Sequence, residues 1–117
     1  MAMQTGAVTA SRAGLGPAAA LFRSLGDPAR LAIVRRLAGG EARVTDLTSE
    51  LGLAQSTVSK HLACLRDCAL VNVRAAGRAS VYSLAQPALL DLFTAAEEVL
   101  AATGNAVALC PAYGQPR

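Results

Sequence analysis

Three cysteines are the side chains of this 117-residue sequence best suited to bind a soft metal ion. Cys64 and Cys68 are four positions apart within a predicted helix, so their sulfur atoms are expected on one face, within reach of a single ion. That face lies about 90° or more from the leucine stripe of the same helix, so neither thiol is well placed for core packing. A disulfide between these two positions would be strained. With Cys110 near the end of the sequence as a third thiol, the pattern favours metal ligation over ordinary packing.

Two other uses of the thiols compete with metal ligation. Oxidation of the cysteines could take the place of metal as the signal, which would make the protein a redox switch. A small thiol enzyme would use Cys64 or Cys68 as its nucleophile, and His61 lies three positions before Cys64, where the two could form a pair. The sequence has no Cys-x-x-Cys motif and no glycine-rich phosphate loop, which argues against an enzyme, and no catalytic residue is predicted.

A polar stretch precedes the thiols on the same predicted helix. Ser56 and Lys60 point almost directly away from the helix's inward stripe, which consists of Val58, Leu62, Leu65 and Ala69. Gln and Ser at the start of such a helix can hydrogen-bond base edges in the major groove of DNA, and Lys or His can reach phosphates or purines. Arginines on a following hairpin could contact the DNA backbone or the minor groove. The residues expected to contact DNA are Gln55, Ser56, Thr57, Ser59, Lys60, His61, Arg74 and Arg78.

Taken alone, each Gln, Ser, Thr or Lys of this set is more typical of a capped and solvated helix start than of a DNA contact. His61 is also typical of an ordinary surface histidine. Their combination with a capped helix ahead, a tight glycine turn and a following hairpin favours DNA binding. Sequence-independent packaging of DNA is the alternative role within that class.

Glycine, proline and capping residues predict the elements that carry these side chains. A short alanine-rich helix is expected over residues 17–25, and a second helix follows Asp27 as its N-cap, has Pro28 at its first position and stops at residues 39–40. Its buried side is expected to comprise Leu31, Ile33, Val34 and Leu37.

Residues 44–71 predict two short helices around a sharp turn at Gly52, with Thr45 or Asp46 as the cap of the first. A hairpin that turns at Gly77 and a last helix over residues 87–102 complete the pattern. The apolar stripe of that last helix comprises Leu89, Leu90, Phe93, Ala96, Val99 and Leu100. The predicted fold class is mainly α with a β-hairpin, a winged helix-turn-helix in the order α-α-α-α-β-β-α.

Composition bounds the domain count and the partners. A hydrophobic content of 53% and an aromatic content of 3% fit one small α-rich domain, whose limited core favours burial against a second copy as a homodimer. The net charge of +3 permits a nucleic-acid partner. No apolar run approaches the roughly 20 residues that a membrane span needs, and the first residues lack the features of a signal peptide. We therefore expect a cytoplasmic protein that has no membrane partner.

Three stretches between residues 22 and 84 resemble the ArsR/SmtB family of metal-sensing repressors. LGDPARLAIVRRLAGGEARVTDL is similar to that family's second helix and the start of its third, LGLAQSTVSKHLACLRDCALV to its DNA-reading unit, and GRASVYSL to its wing strand. The resemblance implies a dimeric winged helix-turn-helix, with the terminal helices at the dimer surface. It also implies a repressor of operator DNA whose affinity falls when metal binds.

The resemblance also bears on which residues would hold the metal. The family's site on the third helix uses a Cys-x-Cys box, and Arg43 and Thr45 stand at those positions here, so that site is absent. The family's zinc site on the last helix uses aspartate and histidines, whereas this helix offers Asp91, Glu97 and Glu98 with no histidine.

The cadmium- and lead-sensing CmtR branch of the family does match, because it joins two cysteines of this spacing to one from the C-terminal tail. The implied ligands are Cys64, Cys68 and Cys110, and the resemblance leaves open whether Cys110 comes from the same subunit or its partner. Three thiolates suit Cd(II) or Pb(II) better than Zn(II), so one of these is the expected effector, with Zn(II) and arsenite left open. We expect residues 1–14 to be a flexible arm, residues 15–102 the DNA-binding and dimerisation domain, and residues 103–117 a tail carrying a metal ligand.

Overall fold

The computed structural model describes residues 12–110, and residues 1–11 and 111–117 lie outside it. One turn of 3-10 helix (Arg12–Leu15) precedes the first α-helix and includes residues 12–14 of the predicted arm, whose other residues lie outside the described part. The elements that follow are α1 (Gly16–Leu25), α2 (Pro28–Ala38), β1 (Ala42–Arg43), α3 (Val44–Leu51), α4 (Gln55–Asp67), β2 (Val71–Ala76), β3 (Ala79–Leu84) and α5 (Ala88–Ala102). This order confirms the predicted winged helix-turn-helix and adds one short strand, β1.

Helix α2 begins and ends where the sequence predicts. Asp27 is extended, and its Oδ1 accepts hydrogen bonds from the backbone N–H groups of Ala29 at 2.8 Å and Arg30 at 3.1 Å. Pro28 occupies the first turn, where its missing N–H leaves no hydrogen bond unmade. The N-cap thus satisfies two N–H donors that a helix start otherwise leaves unpaired, which stabilises the beginning of α2.

The predicted cap of α3 is wrong. The helix begins at Val44, one residue before Thr45, and Arg43 is its extended N-cap, with ψ 163°. Asp46 is the third helical residue, and its Oδ2 accepts the backbone N–H of Arg43 at 3.0 Å. The physical reason is strand β1, in which Ala42 and Arg43 pair with β3 and keep the chain extended up to the start of the helix.

Gly52 makes the sharp turn between α3 and α4, as predicted. Its backbone is left-handed, with φ 67° and ψ 32°, a conformation that a side chain would disfavour. Its N–H donates to the carbonyl oxygen of Thr48 at 3.0 Å, which closes the end of α3. Helix α4 then starts at Gln55, with Ala54 as its N-cap.

The wing is a three-stranded antiparallel sheet in the order β1-β3-β2. In the hairpin, Ala76 pairs with Ala79 across a two-residue turn, and Gly77 within that turn has φ 64°. Tyr82 of β3 pairs with Val73 on one side and with Ala42 on the other. The third strand was not predicted, since two residues give no period-2 pattern to detect.

The core confirms most of the predicted apolar residues. Three of the four residues of the inward stripe of α4 are fully buried, and they pack with fully buried residues of α2 and α3: Val58, Leu62 and Leu65, with Ile33, Val34 and Leu47. Burying one such side chain contributes about 1.5–3 kcal/mol. Leu37 is also buried, whereas Leu31 is only partly buried.

The predicted place of Ala69 in that stripe is wrong. Helix α4 ends at Asp67, Cys68 is its C-cap, and Ala69 is exposed with a left-handed φ of 61°. The N–H of Ala69 donates to the carbonyl of Arg66 at 2.9 Å, and the N–H of Leu70 donates to that of Leu65 at 2.9 Å. These two bonds form a Schellman closure, which turns the chain out of the helix toward β2.

The predicted apolar stripe of α5 splits into two faces. Leu89, Phe93 and Glu97, each four residues apart, are buried against the domain, whereas Leu90 and Val99 are exposed. After α5, residues 103–110 contain no helix or strand, and residues 103–108 are exposed, but Leu109 is buried in the core with only 6% exposure. None of the helices between residues 12 and 110 has the length and apolar content to span a bilayer.

Candidate DNA interface and thiol site

The outer face of α4 presents a row of polar side chains. Gln55, Ser56, Ser59 and Lys60 are exposed, and Thr57 is half-buried. They are held outward because the opposite face of the same helix is fixed in the core at every third or fourth residue. No side chain caps the N-terminus of α4, so the backbone N–H groups of its first turn are available to donate hydrogen bonds to a phosphate oxygen.

His61 lies at the edge of this face and belongs to an internal polar network. Its Nδ1 is 3.5 Å from Nη1 of Arg30, and its Nε2 is 4.0 Å from Oδ1 of Asp27. Arg30 also donates from Nε to the carbonyl oxygen of Ser24 at 2.7 Å. The ring therefore contacts groups of α2 and its cap, so the contact ties the reading helix to the α1–α2 junction.

The pKa of the Asp27 carboxyl is lowered from its ordinary value. The backbone hydrogen bond from Arg30 has the largest effect, burial opposes it, and the Ala29 amide and the charges of His61 and Arg30 add to the lowering. Asp27 is therefore a charged N-cap that lies beside Arg30 and 4.0 Å from the imidazole of His61 on the reading helix.

The two predicted arginines of the wing have different surroundings. Arg74 on β2 donates from Nη2 to Oε1 of Glu41 at 2.6 Å, and both side chains are exposed. Arg78 lies in the hairpin turn, is exposed, and has no ion pair among the described residues. Arg78 also lines a surface cleft together with Gln55 and Arg43. Arg43 was not among the predicted DNA contacts, although a basic residue directly before the helix-turn-helix could have been predicted from the sequence as one.

The thiol pair lies at the opposite end of α4 from the reading face. The N–H of Cys68 donates to the carbonyl of Cys64 at 3.2 Å, so the helix backbone fixes the spacing of the two residues. Cys64 is half-buried and Cys68 is exposed. The Sγ of Cys68 lies 3.1 Å from Oγ of Ser24, a buried residue of α1. The prediction that neither thiol fills the core is consistent with these environments.

The third thiol lies in a separate environment, in the irregular segment that packs against α5. The Sγ of Cys110 is 3.3 Å from Oγ1 of Thr94 and 3.9 Å from the carbonyl oxygen of Leu90. No cysteine in the described part forms a disulfide. Between residues 12 and 110 of a single chain, no three His, Cys, Asp or Glu side chains are close enough to hold a metal ion together. One copy of the described chain therefore does not bring Cys110 to Cys64 and Cys68.

The sequence and structure of this chain match known DNA-binding regulators. A family model described as "Bacterial regulatory protein, arsR family" matches residues 27–73, which span α2 to the start of β2. A probable mercury resistance operon repressor of Streptomyces lividans is 34% identical over 102 residues, covering 85% of this chain and 82% of the relative. The chain belongs to the ArsR family of bacterial regulatory proteins.

Other ArsR-type regulators support the same assignment. The HTH-type transcriptional regulator CmtR of Mycobacterium tuberculosis is 45% identical over 67 residues, 57% of this chain and 57% of the relative. The crystal structure of Rv0081 from Mycobacterium tuberculosis superposes with a TM-score of 0.69 at 36% identity, covering 73% of this chain and 86% of that one. As an ArsR/SmtB family member the chain is a transcriptional repressor, and its relatives are regulators, not enzymes, which sets the thiol-enzyme alternative aside.

An exposed apolar groove of this ArsR-family chain is lined mainly by α1, α5 and the C-terminal segment. Phe22 of α1 is 60% exposed and Val99 of α5 is 63% exposed, which is unusual for large apolar side chains. Phe22, Val99 and Leu109 line one groove. Phe22 is two residues from Ser24, the partner of Cys68, and Leu109 directly precedes Cys110. The groove is thus lined by α1, which also carries the Ser24 partner of Cys68, and by the residue that precedes Cys110.

Glu97 is a functional candidate that the sequence did not single out. It is 8% exposed, and its Oε2 accepts the backbone N–H groups of Leu109 at 2.6 Å and Cys110 at 2.9 Å. Burial raises the pKa of the Glu97 carboxyl, but these amide bonds and a bond from the Cys110 side chain outweigh it, so the pKa is lowered overall. The sequence feature that could have pointed to Glu97 is its position, because it is a charged residue four positions after Phe93, on the inward face of an apolar helix.

Proposed function

We propose that this chain is a metal-responsive repressor that binds operator DNA as a homodimer and releases it when Cd(II) or Pb(II) binds a three-cysteine site. Cys64 and Cys68 of one protomer and Cys110 of its partner would be the ligands. One observation carries the proposal: α4, a helix of 13 residues, bears the reading face at its start and the thiol pair at its end. A metal ion at that pair acts directly on the element that contacts DNA.

The reading face supports specific DNA recognition. Gln55 and Ser56 have the donors and acceptors that distinguish base edges, and Lys60 has the charge that phosphates attract. Arg78, with Arg43 beside it, extends this surface to the wing. Thr57, Ser59, His61 and Arg74 belong to the same proposed set. His61 and Arg74 already contact Arg30 and Glu41, so we expect them to contribute less than the others.

The groove around Phe22 and Val99 supports the homodimer. A second copy that packs there about a two-fold axis would cover apolar surface on both chains with the same residues. Leu109, which precedes Cys110, lines this groove together with Phe22 of α1, the helix whose Ser24 contacts Cys68. We infer that such packing would bring the Cys110 segment of one copy toward the α1–Cys68 region of the other. Each dimer would then contain two equivalent sites.

The donor set fits a soft and large cation. Three thiolates favour thiophilic ions, and the described residues near the thiols supply no histidine pair or carboxylate cluster that would favour a closed zinc shell. Zn(II) and arsenite are compared directly in the experiment below. Because thiols lose their protons on binding, metal affinity should rise with pH.

The contact between Cys68 and Ser24 supports a route from metal to DNA. A metal ion that takes the Cys68 sulfur competes with the 3.1 Å contact to Ser24, whose carbonyl is held by Arg30, the neighbour of His61 on the reading helix. A coupling of about 1–3 kcal/mol between metal and DNA corresponds to a roughly 5–150-fold loss of operator affinity.

The test is DNA binding in the presence of defined effectors. Operator sequences are first selected from a random double-stranded DNA pool, and fluorescence anisotropy then follows their binding by reduced protein with Cd(II), Pb(II), Zn(II), arsenite or hydrogen peroxide. We expect release by Cd(II) or Pb(II) and none by Cd(II) in a variant that carries both Cys64→Ser and Cys68→Ser. Release by peroxide alone would replace the metal sensor with a redox repressor. Binding that selects no sequence and responds to no effector would overturn the proposal in favour of DNA packaging.

A further inference from the structure

Among residues 12–110, the two buried polar side chains are Ser24 and Glu97, and each of them contacts a region that bears a thiol. Ser24 is neutral and touches the sulfur of Cys68. Glu97 has a carboxylate, which accepts hydrogen bonds from the backbone N–H groups of Leu109 and Cys110. The cost of burying a carboxylate makes the second arrangement the one that needs a reason.

The hydrogen bonds of the Glu97 carboxylate all go to the C-terminal segment, residues 103–110, among the described residues. Its Oε2 accepts two successive backbone N–H groups, those of Leu109 and Cys110, which fixes the orientation of that peptide relative to α5. Its other oxygen, Oε1, is buried and has no hydrogen-bond partner among the described residues. An apolar residue at this position would pack in the core without that cost. The carboxylate is therefore poorly explained by packing alone.

Further contacts leave the Cys110 side chain little freedom. Arg35 donates from Nη1 to the carbonyl of Ala108 at 3.2 Å, and the side chain of Leu109 is buried in the core. Thr94, one turn before Glu97 on α5, lies 3.3 Å from the Cys110 sulfur. With the backbone held by Glu97 and the sulfur contacted by Thr94, the thiol is held directly after Leu109, which lines the apolar groove.

We propose that Glu97 is the positioning residue for the third metal ligand, holding Cys110 at the dimer edge before metal arrives. This inference rests on the proposed three-cysteine function. A ligand that is already ordered loses less conformational freedom on binding than one on a loose chain end, so the site gains affinity without an additional contact to the ion. Loss of a partner that orients a metal ligand typically costs about 10–100-fold in metal affinity, and we expect a loss in that range here.

The experiment compares Glu97→Leu with Glu98→Leu, the same change at the adjacent exposed residue. Cd(II) is titrated into each reduced, full-length protein, and the ultraviolet thiolate-to-cadmium absorption is recorded. We expect Glu97→Leu to bind Cd(II) about 10–100-fold more weakly and to lose about one third of the absorption, since two of three thiolates remain. Glu98→Leu should match the wild type in both. Glu97→Gln retains an acceptor oxygen, so its Cd(II) affinity and absorption should lie between those of Glu97→Leu and the wild type. It replaces Glu97→Leu in the comparison if the leucine variant does not fold.

Two further measurements separate positioning from general damage. In a Cys110→Ser background, Glu97→Leu should have no additional effect on Cd(II) affinity, because the residue to be positioned is gone. In metal-free protein, alkylation of Cys110 by iodoacetamide, followed by peptide mass spectrometry, should accelerate several-fold in Glu97→Leu while Cys64 is unchanged.

The outcomes keep this inference distinct from the proposed function. A wild-type protein without thiolate-to-cadmium absorption would overturn both. Wild-type binding with three thiolates, together with unaltered affinity and absorption in Glu97→Leu, would overturn only the role of Glu97. A loss that persists in the Cys110→Ser background would also overturn it, because the effect would then not pass through Cys110.

Discussion

The two regions that bear thiols are built in different ways. At the end of α4, Cys64 and Cys68 are one helical turn apart, and a backbone hydrogen bond between them sets their spacing. Cys110 lies on a segment without regular structure, and its place depends on the side chain of Glu97 on another element. A pair on a helix is thus positioned by local geometry, whereas a lone thiol on an irregular segment is positioned by tertiary contacts.

This difference indicates which ligands of the proposed sensor keep their positions when other residues are substituted. The pair on α4 should keep its arrangement as long as the helix is folded, and the helix is held by residues deep in the core. Cys110 should respond to changes on α5 that leave the fold intact. The following predictions sharpen this contrast, beginning with the largest expected effect.

The largest contrast is expected in stability. Leu62→Ala on α4 should lower the free energy of unfolding by about 2–5 kcal/mol, because it leaves a cavity in a fully buried region. Leu109→Ala should cost less in global unfolding, since the C-terminal segment can detach locally while the core persists. Urea denaturation followed by circular dichroism measures the first, and amide hydrogen exchange at residues 105–110 measures the second. Equal global losses in the two variants would contradict the contrast.

Mixed dimers test which protomer supplies Cys110. Two variants remove ligands: one carries Cys110→Ser, and the other carries both Cys64→Ser and Cys68→Ser. Each should weaken Cd(II) binding by at least about 100-fold, because losing a residue that merely orients a ligand already costs up to about that much in metal affinity. Mixing the two variants under dimer exchange should restore three-thiolate absorption in mixed dimers, because one protomer offers the pair and the other offers Cys110. A site formed within one protomer predicts no restoration, and unmixed variants are the controls.

The two wing arginines should differ in their contribution to DNA binding. Arg78→Ala should weaken operator affinity several-fold and reduce the slope of log affinity against log salt by about 1, as expected for the loss of one phosphate contact. Arg74→Ala should have a smaller effect, because Arg74 is already paired with Glu41. Anisotropy titrations at several salt concentrations measure both. A larger salt effect for Arg74 would reverse their assigned roles.

The smallest effect is expected at the cap of α2. Because the folded-state pKa of Asp27 is lowered, its charge stabilises the fold fully above its unfolded pKa, and that contribution is lost as the pH falls through the folded pKa. Asp27→Asn, which still caps the helix, should therefore show a shallower fall of melting temperature on acidification than the wild type. Thermal unfolding between neutral and acidic pH measures it, and parallel curves would show that the charge is not involved.

Much of the helix-turn-helix could be predicted because its determinants are close together in the chain. The cap at Asp27, the left-handed turn at Gly52 and the hairpin turn at Gly77 each depend on a few neighbouring residues. The inward stripe of α4 follows from helical periodicity up to Leu65. The prediction failed at Ala69, where a Schellman closure ended the helix without the glycine that usually signals it.

The sequence by itself determined the order of the helices and the hairpin, the polar face of α4 and the spacing of Cys64 and Cys68, because periodicity, capping and turn preferences act over a few residues. Only the tertiary structure decided that Arg43 begins α3 beside a third strand, that His61 contacts Arg30, and that Glu97 is buried to hold the peptide of Cys110. These features depend on contacts between residues distant in the chain, which short-range patterns do not encode. The place of Cys110, and with it the geometry of the proposed sensor, is such a feature.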